Sequence, residues 1–175
     1  EKLREIAYIG EHVKIKDDRY ALDPRVIAKI LNLANVSDTD LVLNIGGCYG
    51  YLATLLSFSA QAVVLTEELE IARDAESILV EQAIDNVIVK AAPLVDGAND
   101  YGPYDVIIIE GGVEFIPETI FNQLKIGGRV VAIFIDGLVG ECRLGFRTLE
   151  TIDWRFGFNA VAPILRGFMK ETDFV

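Results

Sequence analysis

The stretch Asp40-Leu41-Val42-Leu43-Asn44-Ile45-Gly46-Gly47-Cys48-Tyr49-Gly50-Tyr51-Leu52 decides the fold. Leu41 to Ile45 is a short apolar run that stops at a glycine-rich turn. A helical pattern follows at once and turns Leu52, Leu55 and Leu56 inward. The order is strand, tight turn, helix, with the turn at the carboxyl end of the strand. Open α/β sheets bind ligands there, because backbone N–H groups at the helix start face the crevice. A second apolar strand, Ala62 to Leu65, runs into Thr66-Glu67-Glu68. Glu67 stands about 20 residues past Gly46, where an acid at a strand tip suits a ribose diol. The plainer alternative is a surface acid favoured by the dipole of the helix that follows. Turn and acid together point to a nucleoside-containing cofactor.

The glycines narrow that class. A dinucleotide fingerprint starting at Gly46 needs glycine at 48 and 51, which are Cys48 and Tyr51; starting at Gly47, it fails at Tyr49. No G-x-x-x-x-G-K-[ST] phosphate loop occurs. S-adenosylmethionine has a ribose but no phosphate, so it asks less of the loop.

The rest of the chain alternates. Asp23-Pro24 starts a helix with Asp23 as N-cap and Val26, Ile27, Ile30, Leu31 and Leu33 as its apolar face. Glu68 to Ala83 is a long amphipathic helix, and Val87 to Val89 a third strand. Ala91 to Pro103 is a loop whose length suggests a place near the ligand. Tyr104 to Glu110 is nearly continuous apolar sequence, as in a central strand covered on both faces. Gly111-Gly112 reads as a turn, followed by a helix from about Pro117 to Leu124 and a fifth strand from Arg129 to Ile135. Cys142 to Leu149 and Trp154 to Ala160 have no helix between them, which implies an antiparallel pair at the sheet edge. Residues 1–22 mix charges with isolated apolars and read as an arm, with Lys14, Lys16, Asp17, Asp18 and Arg19 as solvated surface. Pro163 to Val175 reads as a terminal tail.

Composition sets outer bounds. The 175 residues suit one domain, and 51% hydrophobic with 25% charged content marks a globular protein. The longest strongly apolar runs are too short to span a bilayer, so no membrane partner is expected. A net charge of −11 disfavours a nucleic-acid backbone as partner. Cys48 and Cys142 lack C-x-x-C spacing, which implies no zinc site and fits a cytoplasmic location. His12 is the only histidine, so hydrolytic triads and metal sites have little to be built from. Cys48 reads as a small buried residue rather than a nucleophile. Glu110 points toward the same crevice, either approaching the substrate or capping the glycine turn. Oligomeric state is not legible.

The alternation closed by a hairpin resembles the Rossmann-like class I S-adenosylmethionine-dependent methyltransferase fold: a mostly parallel seven-stranded α/β sheet with a C-terminal antiparallel hairpin. The wording resembles the protein-L-isoaspartate O-methyltransferase family more closely. Leu43 to Tyr51 is similar to its acid-I-G-x-G-x-G-Y motif, and Gly102-Pro103-Tyr104-Asp105-Val106-Ile107 to its "PFD-I" strand. Ile116-Pro117 and Gln123-Leu124-Lys125-Ile126-Gly127-Gly128-Arg129-Val130 resemble its "IP … QL-x-x-GG" segment. The similarity runs over residues 20–135. It implies an enzyme that moves a methyl group from S-adenosylmethionine to an isoaspartyl carboxylate of a damaged peptide or protein. It also implies cofactor contacts at Asn44, Gly46, Cys48, Gly50, Tyr51, Glu67, Ala92 and Glu110, with no catalytic side chain and no metal. Residues 23–175 would form the methyltransferase domain and residues 1–22 an arm left from a longer N-terminal segment. Four positions depart from the pattern: Asn44 for the opening acid, Cys48 for the middle glycine, Ala92 for the adenine-binding Asp, and Leu22 for the serine of S-x-P. They motivate the rival expectation of an inactive fold kept as a binding module.

Overall fold

The computed structural model describes residues 11–170. Among them seven strands form one sheet, in the order β5-β4-β3-β6-β7-β8-β9. They are β3 (Leu41–Ile45), β4 (Ala62–Glu67), β5 (Val87–Ala91), β6 (Tyr104–Val113), β7 (Leu124–Asp136), β8 (Val139–Arg147) and β9 (Ile152–Asn159). The pairs β3–β4, β3–β6, β4–β5 and β6–β7 are parallel. The pairs β7–β8 and β8–β9 are antiparallel. The chain enters the sheet at β3 and winds out to β5, then crosses back to β6 on the other side. The switch point therefore lies between β3 and β6, directly beyond Ile45 and Ile109.

Alternating side chains make two cores. Val42, Val63, Ile108 and Val131 face the helix α1 (Pro24–Ala34) and α2 (Tyr51–Ser57), joined by Ala75 of α3 (Leu69–Glu81). Their sequence neighbours Leu43, Val64, Ile107 and Val130 face the other side, with α4 (Glu118–Phe121), Tyr104 and Phe168. Both faces are covered, which explains why the parallel strands read as continuous apolar runs. Helix α1 begins as its sequence dictates: Asp23 accepts the Arg25 N–H at 2.8 Å, Pro24 fills the first turn, and Asn35 ends it in the left-handed region at φ 45°. Trp154 of β9 meets Phe134 of β7 edge-on, with ring centroids 4.8 Å apart.

Several local expectations change. Gly111-Gly112 is not a turn: β6 runs through it to Val113. These glycines admit the C-terminal tail instead. A Cβ on Gly111 would lie 2.6 Å from the Leu165 side chain, and one on Gly112 2.5 Å from the Ala162 carbonyl. Gly112 N–H donates to Pro163 O, and Leu165 N–H returns to Gly112 O. The tail up to Lys170 is thus fastened along the mouth of β6. Helix α4 spans only Glu118–Phe121, and Lys125 to Gly128 belong to β7. Instead of a loose arm, Val13–Lys16 (β1) and Arg19–Ala21 (β2) form an antiparallel hairpin. Of the expected arm, residues 1–10 lie outside the described residues, as do 171–175 of the tail.

Candidate cofactor and acceptor crevice

The turn after β3 is built by backbone conformations that side chains rarely adopt. Gly46 and Gly50 have φ of 77° and 85°, and Cys48, in the middle, has φ 51°. Gly47 is held by space: a Cβ there would lie 2.7 Å from Leu65 and closer still to the Asn44 amide oxygen. Gly47→Ala should therefore destabilise the fold by about 1–3 kcal/mol, measured by urea unfolding.

Glu67 ends β4 and is fully buried, so it is not a surface acid starting α3. Its Oε1 accepts the Cys48 N–H at 3.2 Å, and its Oε2 accepts the Glu68 N–H at 3.0 Å. Its remaining partner is a residue that no sequence pattern singles out. Arg19, on β2, is 3% exposed and donates through Nη2 to Glu67 Oε1 and, at 2.8 Å, to Gly46 O. The expectation of a solvated Arg19 is thus overturned. Burial is the largest single influence and works against its charge, but the attraction of Glu67 together with its other acidic neighbours outweighs it and raises the guanidinium above its usual pKa. No local pattern marks it, because its partner is distant in sequence and a charged run ordinarily stays in water.

Asn44 and Glu110 meet at the switch point. Both are buried, and Asn44 Nδ2 donates to Glu110 Oε2 at 3.1 Å. Asn44 Oδ1 has no partner among the described residues. Burial pushes the Glu110 carboxyl up to about 8, against the opposing pull of Asn44 and Arg19. An acid at position 44 would place two carboxyl groups in contact here, whereas the amide supplies a donor. Burial likewise pushes the Cys48 thiol up to about 12, so it is neutral at physiological pH. Its Sγ lies 3.4 Å from Tyr20 O beneath the hairpin.

A cavity of about 420 Å³ lies under the hairpin, with Ile15 and Leu22 on one wall and Gly47, Cys48, Tyr51 and Glu110 on the other. Tyr51 stands at its rim, 56% exposed. A second cavity of similar size, about 420 Å³, is lined by Glu68, Leu69, Ala91, Ala92 and Pro93. Ala92 N–H is taken by Glu67 O at 3.0 Å and its side chain offers no acceptor. Of the eight candidate residues, Cys48, Tyr51 and Glu110 line the hairpin cavity and Ala92 lines the second. Asn44, Gly46, Gly50 and Glu67 line neither cavity; they belong to the ends of β3 and β4 and to the turn between β3 and α2. Among the described residues no group of three or more His, Cys, Asp or Glu is placed to hold a metal ion. No helix among them is long and apolar enough to cross a membrane.

Comparison with known proteins gives this crevice a lineage. Residues 1–136 match the family model described as protein-L-isoaspartate(D-aspartate) O-methyltransferase. The chain belongs to that family. Protein-L-isoaspartate O-methyltransferase 2 of Pelobacter propionicus is 31% identical over 163 residues, covering 88% of this chain and 72% of the relative. Protein-L-isoaspartate O-methyltransferase of Pelotomaculum thermopropionicum is 31% identical over 131 residues, covering 74% of this chain and 57% of the relative. A solved protein-L-isoaspartate O-methyltransferase superposes with a TM-score of 0.80 at 26% identity, over 89% of this chain and 52% of that one. A Plasmodium falciparum structure in complex with S-adenosyl-L-homocysteine shares the fold, with a TM-score of 0.75 at 17% identity over 93% of this chain and 83% of that one. The chain thus spans little more than half the length of several relatives. The class I methyltransferase fold and the family stand as the sequence suggested.

Proposed function

We propose that this chain is the cofactor-binding body of a protein-L-isoaspartate O-methyltransferase. In this reading it binds S-adenosylmethionine and directs its methyl group to an isoaspartyl carboxylate of a damaged protein in the cytoplasm. The observation that carries the reading is Glu67, a buried carboxylate at the tip of β4, hydrogen-bonded to the backbone of a turn that opens on the switch point. The fit is chemical as well as topological. A vicinal diol donates two hydrogen bonds to a carboxylate, and the turn at Gly46 and Gly50 leaves backbone rather than side chain against the nucleoside. In this assignment Glu67 holds the ribose, Gly46 to Gly50 flank the sulfur end, and Ala92 lies beside the base. Glu110, held from behind by Asn44, lines the hairpin cavity, where the acceptor would enter.

When bound, S-adenosylmethionine supplies an electrophilic methyl on a sulfonium. The protein's part is placement. An aspartyl-type carboxyl has a pKa near ~4, so the acceptor is ionised at neutral pH and needs no general base. Alignment alone can contribute roughly 7–11 kcal/mol. Glu110, largely protonated at neutral pH, keeps a second negative charge out of the cavity where the acceptor carboxylate lies. Leu22 offers that carboxylate no hydrogen bond, so turnover should be slower than a serine at this position would allow. The two cysteines are free and buried, in keeping with a reducing compartment.

The test is transfer of labelled methyl from S-adenosylmethionine to an isoaspartyl peptide, with the aspartyl isomer as control. Base-labile methyl ester on the isoaspartyl peptide alone is the expected result. No ester on either peptide, at cofactor concentrations that saturate binding, overturns the catalytic reading.

A further inference from the structure

Arg19 is the only buried Lys or Arg among the described residues, and it rests on the acid that the proposed cofactor needs. Its Nη2 bridges Gly46 O and Glu67 Oε1 and lies 3.8 Å from Cys48 Sγ; its Nε is buried without a partner among the described residues. A guanidinium and a ribose diol cannot occupy Glu67 Oε1 together. Because Glu67 bonds the backbone of both Cys48 and Glu68, the ion pair also stands between the two cavities that these residues line. A ligand with a nucleoside at one end and an amino acid at the other needs both.

The hairpin carrying Arg19 is strapped down from outside the crevice. Lys16 pairs with Glu70 on α3, and Arg166 of the tail reaches Asp18 at 3.4 Å and Glu68 at 3.5 Å. At its base, His12 Nδ1 accepts the Asp23 N–H at 3.0 Å while Nε2–H donates to Val161 O at 2.6 Å. Exposed pairs of this kind are individually weak and screened by salt. The base is anchored by backbone partners, whereas the tip is held by charges that can let go.

We propose that Arg19 is a resident occupant of the ribose subsite and that the β1–β2 hairpin is the gate over it. Cofactor binding is then an exchange: the diol hydroxyls take Glu67 as the guanidinium swings out with the hairpin. This rests on the proposed cofactor and adds a specificity rule to it. Glu67 is never left buried and unpaired, because a bare buried carboxylate is costly, so a ligand enters only if it satisfies Glu67 as Arg19 departs. A nucleoside lacking one ribose hydroxyl is rejected more strongly than the loss of one hydrogen bond implies. Binding should also tighten as ionic strength rises, since salt weakens the straps.

The test uses the whole chain with S-adenosyl-L-homocysteine as the probe, titrated calorimetrically. Cys48, which lies under the hairpin, is alkylated in parallel and its rate read by mass spectrometry. Three proteins are compared: the unaltered chain, the strap variant Asp18→Asn/Arg166→Gln, whose changes lie outside the crevice, and Arg19→Gln. If the open form is about a tenth of molecules, the apparent affinity is reduced about ten-fold. The strap variant is expected to speed Cys48 alkylation and tighten probe binding several-fold, and Arg19→Gln to tighten it up to about ten-fold. Unchanged alkylation and affinity in the strap variant overturn the gate. Weaker binding by Arg19→Gln overturns the exchange and makes Arg19 a ligand contact. If no protein binds the probe while the strap variant still exposes Cys48, the cofactor reading itself is overturned and the exchange falls with it.

Discussion

Arg19→Met is expected to lower the unfolding free energy by about 3–5 kcal/mol, because it strands Glu67 as a buried, unpaired carboxylate. For a domain of this size that is a fall in melting temperature of roughly 10 °C. The double variant Arg19→Met/Glu67→Gln should recover most of the loss, since neither side chain then carries a buried charge. Lys16→Ala removes an ion pair whose two side chains are 44% and 71% exposed, and should cost less than about 1 kcal/mol. Urea unfolding of the four proteins checks the whole pattern. A single Arg19 variant as stable as the parent would mean that the guanidinium does not neutralise Glu67 in the folded protein. The same comparison separates stability from binding. Arg19→Met should melt earlier without ligand and yet gain more thermal stability from S-adenosyl-L-homocysteine than the parent does.

Glu110 governs the second large effect, which appears as a slope in pH. Burial raises its folded pKa to about 8 from an ordinary 4.5. Between those values the folded state holds a proton that the unfolded chain has released. Stability from this group is therefore complete below about pH 4.5, declines as pH rises, and is flat above about pH 8. The total decline is on the order of 5 kcal/mol. Glu110→Gln keeps the shape and still accepts from Asn44 Nδ2, so it should remove this slope and be the more stable protein at pH 8. Near pH 4 the two should be nearly equal. Urea unfolding at pH 5, 6, 7 and 8 shows the divergence; parallel curves for the two proteins would place the Glu110 titration outside this range.

The parts of the fold legible in the sequence are those governed by local rules. Leu41–Ile45 is a buried parallel strand because an uninterrupted apolar run has nowhere else to go, and Asp23-Pro24 starts a helix because its cap chemistry is local. Glu67 was legible because an acid at a strand tip, about 20 residues past a glycine turn, has a chemical reason to be there. Glycine was ambiguous. Gly46 and Gly50 do adopt positive φ, whereas Gly111 and Gly112 are absent side chains that let a distant segment approach. Nothing near position 111 announces that Leu165 will lie on it. Arg19 was hidden for the same reason. In Asp17-Asp18-Arg19-Tyr20 it looks like any hydrated charge, and its burial depends on a carboxylate supplied by β4. The departures at Leu22, Asn44, Cys48 and Ala92 together pointed to a weakened site. In the folded protein Asn44 supplies the donor to a raised Glu110, and Cys48 adopts the positive φ of the glycine that it replaces.

If Glu67 holds the cofactor's ribose, calorimetric titration with S-adenosyl-L-homocysteine will separate the parent from Glu67→Gln. The parent should bind at 1:1 with micromolar affinity, near ~−8 kcal/mol. Glu67→Gln should lose at least about 2 kcal/mol, because an amide offers a diol one neutral acceptor in place of a charged carboxylate. Equal affinity in the two proteins, or no binding by a folded parent at millimolar ligand, would mean that Glu67 does not hold a ribose.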